Sequence, residues 1–294
     1  MIGRFFSRLA LRLLSAIATL PYPVVRRIGL GLGTVLWWAA RPRRRVTLIN
    51  LRLCLPERTE AQRFAIAREH FACFGRTFVE RFIFWSGSAD RIRSLVRFEG
   101  LEHWQSQAGR PVILLAPHFL GLDAGGLRIQ LETQFVSMYA KQKNPVLDEA
   151  MRAGRSRFNN PLLLSRQEGL RPALRALRAG IPFYLLPDMD LGPRDAVFVP
   201  FFGIPAATVT TVARLARLTG AVVVPVVTSL HEEGYVTRFD PPWHDFPGED
   251  DTQAATRMNA YIEAQVRQIP AQYLWSHKRF KTQPPEATPV YVDL

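Results

Sequence analysis

From residue 98 onward, short apolar runs alternate with stretches of helical periodicity, and this alternation constrains the fold more than any other feature of the sequence. Four apolar runs are typical of buried strands, at 111–116, 135–139, 181–186 and 221–227. Helical periodicity marks 60–85, 169–179 and 208–219, and the last two are followed by Gly180 and Gly220, as helix ends commonly are. Strands that alternate with helices predict an α/β fold whose central sheet is largely parallel or mixed and is flanked by helices.

The N-terminal 56 residues are basic and apolar. They contain ten arginines and no acidic residue, in a chain whose formal net charge is +13. Two apolar stretches, 1–20 and 28–40, flank Pro21-Tyr22-Pro23, and neither has the roughly 20 uninterrupted apolar residues of a typical spanning helix. We expect residues 1–45 to be an uncleaved membrane anchor, either one tilted span or a helical hairpin in the interface. The arginines at 41–45 would then face the cytoplasm. A buried, soluble hairpin is the alternative.

The remaining residues, 46–294, are enough for one sizeable α/β domain, and 48% hydrophobic residues can fill its core. Cys54 and Cys73 are the only cysteines, which excludes a disulfide framework and a cysteine-rich zinc site. Nucleic acid is not expected as a partner, because the basic residues accompany apolar sequence and no nucleic-acid-binding motif is present.

Two of the predicted strands end in ionisable residues, His118 after the first and Asp188 after the third. In parallel sheets, reactive groups gather beyond the carboxyl ends of the strands. Asp123 follows His118 by five residues, which on a continuous helix is a rotation of roughly 500°, so the two side chains meet only if His118 lies on a turn. An aspartate bonded to one imidazole nitrogen fixes the tautomer and stabilises the cation. The spacing therefore predicts that His118 is a general base oriented by Asp123. A metal site is not predicted, because no third ligand is nearby.

The strand followed by His118 and Asp123 resembles the first block of the glycerolipid and lipid A acyltransferase superfamily. Residues 184–227 resemble the lauroyl and myristoyl transferases of late lipid A biosynthesis, and so do 50–57 and 273–284. The resemblance covers nearly the whole chain. It implies a glycerolipid-acyltransferase-like fold and a cofactor-free O-acyltransferase of the bacterial inner membrane, with its catalytic domain on the cytoplasmic side. The implied reaction moves a fatty acyl chain from acyl-carrier protein to a hydroxyl of a lipid A precursor.

The resemblance also implies roles for individual residues. His118 would deprotonate the hydroxyl of a 3-hydroxyacyl chain, whose oxygen then attacks the thioester. The sequence does not identify the donors to the oxyanion, and we expect backbone amides at 119–121. The phosphorylated acceptor calls for cations in the cleft, although Lys141 stands where the family usually has arginine. For each of these cations an ordinary surface charge is the alternative, and Asp188 could instead cap a turn. The expected substrate-binding residues are Lys141, Arg152, Arg155, Asp188, Arg194, His277, Lys278 and Arg279.

Two other functions remain open. The first is a related acyltransferase that acts on a glycerophospholipid or on a mannosylated phosphoinositide. The second is a protein that keeps this fold only to bind lipid or carrier protein, although the presence of both His118 and Asp123 argues against it. The expected partners are acyl-carrier protein, the lipid A precursor and membrane lipid.

Overall fold

A computed structural model describes residues 2–165 and 168–292 of the chain. The helices are α1 (Ile2–Ile17), α2 (Tyr22–Ala39), α3 (Arg41–Cys54), α4 (Glu60–Ser86), α5 (Ala89–Leu95), α6 (Leu101–Gln105), α7 (Leu122–Gln130), α8 (Pro145–Arg155), α9 (Arg171–Arg178), α10 (Thr211–Thr219) and α11 (Asp251–Gln268). The strands are β1 (Val96–Glu99), β2 (Val112–Leu115), β3 (Val136–Tyr139), β4 (Leu162–Ser165), β5 (Phe183–Leu185), β6 (Ala196–Phe201), β7 (Ile204–Val209), β8 (Val222–His231) and β9 (Gly234–Phe239).

Seven of these strands form one mixed sheet, in the order β1-β9-β8-β2-β5-β3-β4. The antiparallel pair is β8 with β9, and the other neighbours run parallel. Central strand β2 pairs with both β5 and β8, so that Ile113 lies opposite Phe183 on one side and Val223 on the other. The prediction of an α/β fold with a mixed central sheet flanked by helices is confirmed, as are the four predicted strands.

Helices cover both faces of the sheet. Successive residues of β2 point to opposite sides and therefore pack in different clusters. Ile113 and Leu115 pack in one core cluster with residues of α9, α10 and α11. Val112 and Leu114 pack in another cluster, with Ile129 of α7. All four β2 side chains are buried, which explains why this strand reads as a continuous apolar run rather than an alternating one.

The helix predicted over 208–219 begins later than expected, at Thr211, and its end at Gly220 is confirmed by that residue's left-handed backbone. The preceding residues belong to β7, which pairs with β6 as a separate antiparallel hairpin. Inside this hairpin Thr208 is fully buried and its hydroxyl accepts hydrogen bonds from Asn259 and Arg279. These distant partners and the β-branched residues Thr208 and Val209 together favour a strand before Thr211.

The N-terminal region forms two helices, α1 and α2, separated by residues 18–21. The break expected at Pro21-Tyr22-Pro23 is therefore present, although α2 already includes Tyr22 and Pro23. The boundary expected between residues 45 and 46 lies inside α3. Within the part of the chain that the structure describes, no helix combines the length and the apolar character needed to cross a membrane.

Helices α2 and α4 approach one another at three glycines, Gly29 and Gly33 on α2 and Gly75 on α4. A Cβ on Gly75 would lie 2.2 Å from the backbone nitrogen of Gly33, and one on Gly33 would lie 2.4 Å from the carbonyl oxygen of Phe71. These distances are shorter than any real carbon contact and involve backbone atoms that cannot rotate away. The absence of side chains at these positions therefore sets the separation of the two helices.

We expect Gly75→Ala to separate α2 from α4 and to lower the free energy of unfolding by about 1–3 kcal/mol, the usual range for overpacking. The measurement is denaturant unfolding followed by circular dichroism. Gly31→Ala is the matched control, because a Cβ on Gly31 of α2 meets nothing within 4 Å. That control should leave stability unchanged or raise it by up to about 1 kcal/mol. Equal effects of the two substitutions would contradict the proposed role of the glycine contact.

Candidate active site

His118 lies on the turn between β2 and α7, a position that the C-terminal segment fixes. The carbonyl oxygen of His118 accepts a hydrogen bond from the amide of Leu274 at 3.0 Å. Two residues later, the amide of Leu120 donates to the carbonyl oxygen of Gln272 at 2.8 Å. The turn that carries His118 therefore pairs with residues 272–274, more than 150 positions away in the sequence.

The carboxylate that contacts His118 is Asp188, which follows β5. Oδ1 of Asp188 lies 2.7 Å from Nδ1 of His118, and both carboxylate oxygens accept from the backbone amide of His118, at 3.1 and 3.0 Å. Because β2 and β5 are parallel neighbours, their ends place these two residues side by side. Asp188 is 2% exposed, whereas 18% of the His118 side chain is accessible.

The environment of Asp188 keeps its carboxylate ionised. Burial raises the pKa of Asp188. The neighbouring imidazole, the hydrogen bonds from His118 and the charge of Arg279 lower the pKa by more than burial raises it, so the net pKa lies below its ordinary value. The pKa of the adjacent Tyr273 is raised by burial and by the charge of Asp188. A buried, ionised carboxylate on Nδ1 favours the tautomer whose proton is on that nitrogen. Nε2 of His118 is then the nitrogen that can take a proton.

Asp123 differs from its expected role. In the structure its Oδ1 accepts from Nε and Nη2 of Arg155, at 2.9 and 2.6 Å, and its Oδ2 lies 2.7 Å from Nε of Arg81. Within residues 2–165 and 168–292, the imidazole of His118 has Asp188 and not Asp123 as its carboxylate partner. Asp123 lies in the first turn of α7, and its short side chain meets two guanidinium groups there.

Those two arginines control the charge of Asp123. Burial raises the pKa of Asp123, but the charges of Arg155 and Arg81 lower it, and the net pKa is below the ordinary value. Arg155, predicted from the sequence as a substrate-binding residue, is thus also the partner of a predicted catalytic residue. Arg81 has no sequence signal of its own, because it lies on α4 in an aromatic stripe, formed by Phe71, Phe74, Phe78 and Phe82, of a kind that is typical of core.

A cavity of about 510 Å³ adjoins His118. Its wall includes the charged side chains of Asp123, Arg81 and Arg155, whereas most of its lining is apolar. The apolar residues come from α4, α7, β3 and the segment after β5, and they include Phe78, Leu122, Leu127, Phe135, Met138 and Leu186. A cavity of this size with a few convergent polar groups is typical of a site for a small or elongated apolar ligand.

The predicted substrate-binding residues of the C-terminal segment are mostly engaged inside the protein. Arg279 is 2% exposed and donates to the carbonyl oxygen of Ala207 at 2.8 Å and to the hydroxyl of Thr208 at 2.9 Å. Direct contact between Arg279 and a substrate is therefore contradicted by its burial. Its role is to tie residues 276–281 to β7. Lys278 is half-buried and lies over the ring of Tyr291.

His277 supports the loop after β5 rather than facing the cavity. Its Nε2 accepts a hydrogen bond from the amide of Asp190 at 3.0 Å. Burial and the nearby His118 lower the pKa of His277 to about 4. The carboxylate of Asp190 in turn accepts from the amide and hydroxyl of Thr282, at 2.6 and 2.7 Å. These bonds fasten the C-terminal segment beside Asp188.

The other predicted cations lie on the surface. Lys141 and Arg152 are exposed and line a shallow depression at the start of α8, apart from the cavity beside His118. Arg194 is exposed in the loop before β6. The structure therefore brings Arg155 and Asp188 to the candidate site, and it leaves Lys141, Arg152 and Arg194 outside the cavity lining.

The amides expected to stabilise an oxyanion are partly occupied. The amide of Phe119 donates to the carbonyl oxygen of Pro117 at 2.7 Å, and that of Leu120 donates to Gln272. Among the three predicted donors, the amide of Gly121 has no hydrogen-bond partner in the described chain. Gly121 also cannot carry a side chain, since a Cβ would lie 2.5 Å from the carbonyl oxygen of Thr228.

Comparison with known proteins identifies the family. The profile described as "Bacterial lipid A biosynthesis acyltransferase" matches residues 2–282. The chain is 33% identical over 281 residues to the lipid A biosynthesis lauroyltransferase of Escherichia coli, an alignment that covers 94% of this chain and 91% of that protein. The chain belongs to the bacterial lipid A biosynthesis acyltransferase family. The resemblance expected from the sequence is confirmed, and with it the assignment of an acyltransferase.

A second relative agrees with this family assignment. A lipid A biosynthesis acyltransferase of Haemophilus influenzae is 32% identical over 284 residues, covering 95% of this chain and 91% of its own. The crystal structure of the 1-acyl-sn-glycerophosphate (LPA) acyltransferase PlsC from Thermotoga maritima gives a TM-score of 0.40 at 15% identity, covering 76% of this chain and 95% of that chain. The family assignment does not depend on that structural likeness.

The low pKa of His277 predicts a pH dependence of stability. In the unfolded chain this histidine takes a proton near its ordinary pKa of about 6.5, whereas the folded protein resists protonation down to about 4. The unfolded state therefore binds more protons within this window, and the free energy of unfolding falls as the pH is lowered through it. We expect His277→Gln, whose amide oxygen can still accept from Asp190, to weaken this pH dependence by about 1–2 kcal/mol between pH 7 and pH 5.

The measurement is the free energy of unfolding by urea at several pH values for both proteins. His244→Gln is the control, because His244 is an exposed histidine outside the site. An unchanged slope for His277→Gln would show that this residue is not held neutral.

Proposed function

We propose that this protein transfers a fatty acyl chain from a thioester donor to a hydroxyl group of a lipid A precursor. Membership of the bacterial lipid A biosynthesis acyltransferase family supports the substrate class. The observation that carries the proposal is that His118, in the wall of a largely apolar cavity, is hydrogen-bonded to the buried carboxylate of Asp188 behind it. The pair supplies a base, and the cavity supplies space for a hydrocarbon chain.

The proposed chemistry begins with proton transfer to Nε2 of His118. Asp188 orients the imidazole through Nδ1 and stabilises the imidazolium ion as it forms. The acceptor oxygen then attacks the thioester carbonyl, and the proton held by His118 passes to the departing sulfur. A base in hydrogen-bond reach contributes about 10²–10⁴-fold to such a reaction. The amide of Gly121 is our proposed donor to the oxyanion.

Asp123, the residue expected to orient His118, is proposed to act through its two arginines. Its carboxylate holds Arg155 and Arg81 in the cavity wall, close to the start of α7. The proposed active site therefore uses the two aspartates for different tasks. Asp188 orients the base His118, and Asp123 positions Arg81 and Arg155.

The proposed acyl donor is acyl-carrier protein, an acidic partner whose charge is complementary to this chain. The formal net charge of +13 favours association with an acidic protein. The exposed cations Lys141, Arg152 and Arg194 remain proposed contacts for the carrier protein or for acceptor phosphates.

We also propose that residues 1–45 attach the protein to the cytoplasmic side of the bacterial inner membrane. Large apolar side chains of α1 are exposed, including Phe5 at 65%, Phe6 at 62% and Leu13 at 60%. Arginines alternate with them along the same helix. Such a helix suits the interface of an anionic bilayer, where apolar burial and arginine–phosphate attraction add together.

The central test is acyl transfer from acyl-carrier-protein thioesters to a tetra-acylated lipid A precursor by detergent-solubilised protein. We expect His118→Ala and Asp188→Asn each to lower kcat by about 10²–10⁴-fold, because the base is removed or loses its orientation. Asp123→Asn should lower kcat less than Asp188→Asn does, since Asp188 and not Asp123 is hydrogen-bonded to the imidazole of His118.

One control variant and three contrary outcomes sharpen this test. His244→Ala changes an exposed histidine outside the cavity lining and should keep wild-type activity. Wild-type protein that binds the precursor but transfers no acyl chain would contradict the enzymatic proposal. Preferential transfer to a glycerophospholipid or a mannosylated phosphoinositide would contradict the proposed acceptor. Full activity of Asp188→Asn would show that the pair with His118 is not used.

Membrane attachment has a separate test. We expect the double substitution Phe5→Ser and Leu9→Ser to weaken binding to anionic phosphatidylglycerol vesicles at least tenfold, since each buried apolar side chain contributes about 1.5–3 kcal/mol. Vesicle co-sedimentation gives the measurement. Leu218→Ser on α10, which is 56% exposed, is the matched control and should bind as the wild type does. Equal loss in both variants would contradict α1 as the contact.

A further inference from the structure

The two arginines that contact Asp123 outnumber the carboxylate that they share. Arg155, at the end of α8, and Arg81, on α4, approach opposite oxygens of Asp123. Two guanidinium charges and one carboxylate leave an excess of one positive charge in the cavity wall. Asp123 is 8% exposed, whereas 31% of the Arg81 side chain and 25% of the Arg155 side chain are accessible. The carboxylate of Asp123 is therefore enclosed, and the guanidinium groups of Arg81 and Arg155 face the cavity.

Each arginine keeps donors that the protein does not use. Asp123 accepts hydrogen bonds from Nε and Nη2 of Arg155, whereas Nε of Arg81 forms an ion pair with Oδ2 of Asp123 at 2.7 Å that lacks hydrogen-bond geometry. Across residues 2–165 and 168–292, no hydrogen bond occupies Nη1 of Arg155 or either terminal nitrogen of Arg81, and none of the three is a buried unpaired atom. The cavity therefore contains N–H donors on two guanidinium groups that a ligand could engage.

Arg81 is held in a fixed orientation by rings as well as by charge. Its guanidinium carbon lies 5.9 Å from the ring centroid of Phe78 and 5.6 Å from that of Trp85. Cation–π contacts of this kind and the ion pair to Asp123 together restrict a long side chain that would otherwise be mobile. The position of Arg81 is thus determined before a ligand binds, which lowers the entropic cost of binding.

We propose that Arg81 and Arg155 form a binding site for a phosphate group of the acceptor lipid, with Asp123 as the positioning residue between them. The planar fork of a guanidinium group matches phosphate oxygens bidentately, and two such groups with one excess charge suit a doubly charged oxyanion better than a carboxylate. Both arginines line the same cavity as His118, so a phosphate bound there fixes the acceptor while its hydroxyl lies at the base. This inference rests on the proposed function and adds a specificity determinant, Arg81, to it.

The test compares wild-type protein with Arg81→Gln, using a bisphosphorylated lipid A precursor and the same lipid without its phosphates. We expect Arg81→Gln to raise KM for the phosphorylated acceptor about 10- to 100-fold with a much smaller change in kcat, as the loss of charge-assisted hydrogen bonds implies. With the dephosphorylated acceptor, wild type and variant should have the same KM. Arg81→Lys should restore part of the affinity, because it returns the charge without the fork.

Arg68→Gln is the matched control. Arg68 is an exposed arginine on the same helix, α4, and is not part of the cavity lining. This variant should bind both lipids as the wild type does. Thermal unfolding of Arg81→Gln and Arg81→Lys is measured in parallel to show that both variants are folded. Partial recovery of affinity for the phosphorylated lipid in Arg81→Lys then shows that Arg81→Gln loses binding rather than folding.

A binding measurement without acyl transfer tests the phosphate site separately from the proposed reaction. Equilibrium binding of the two lipids in detergent micelles should show a phosphate-dependent difference for wild-type protein that Arg81→Gln abolishes. If wild-type protein transfers no acyl chain, the proposed function fails, and this measurement still decides the phosphate site. Equal loss of affinity for both lipids, or no loss for either, would overturn the site. A raised KM for the thioester donor alone would also overturn it, because the phosphate would then belong to the donor.

Discussion

The contact between Asp188 and His118 is the constraint on which the active-site region depends. A single carboxylate accepts hydrogen bonds from both the backbone amide and the ring of His118. It thereby joins the loop after β5 to the turn after β2, two neighbouring parallel strands. Because Asp188 is almost fully buried, its charge depends on these hydrogen bonds, and rotation of the imidazole would leave the carboxylate without one of them.

The C-terminal segment completes this arrangement from the other side. Residues 272–274 pair with the turn that carries His118, while His277 and Thr282 bind the loop of Asp190. Arg279 anchors the segment to β7 and lies over the ring of Phe201 at 5.1 Å. The basic residues of this segment look like ligands for an anionic substrate when the sequence is read alone. Burial and internal hydrogen bonds give Arg279 and His277 structural roles, and the anion-binding role that we propose belongs to Arg81 and Arg155 instead.

Asp188 and Asp123 have different partners in the candidate site, and we propose a different task for each. Asp188 has the imidazole as its hydrogen-bonded partner and the charge of Arg279 nearby, whereas Asp123 has two guanidinium groups in direct contact. A carboxylate held by two strong cations is poorly suited to accept a proton or to polarise an imidazole. It is well suited to fix the directions in which those cations present their remaining donors. The charge balance around each aspartate therefore supports our proposal that proton transfer and anion binding use different groups.

The sequence by itself determined the α/β class, the four central strands, the long helix α4, the helix end at Gly220, the family and the positions of His118 and Asp188 after two of the strands. These features follow from local patterns, namely apolar runs long enough to be buried strands, helical periodicity, and ionisable residues directly after strands. Only the tertiary structure decided which aspartate contacts His118, because five residues of chain separate His118 from Asp123 whereas parallel pairing brings Asp188 beside it. Arg81 could not be found from its spacing, since it lies on a helix 37 residues before His118 and within an aromatic stripe. Contacts between distant segments depend on how the helices and the sheet pack, and no local pattern encodes that packing.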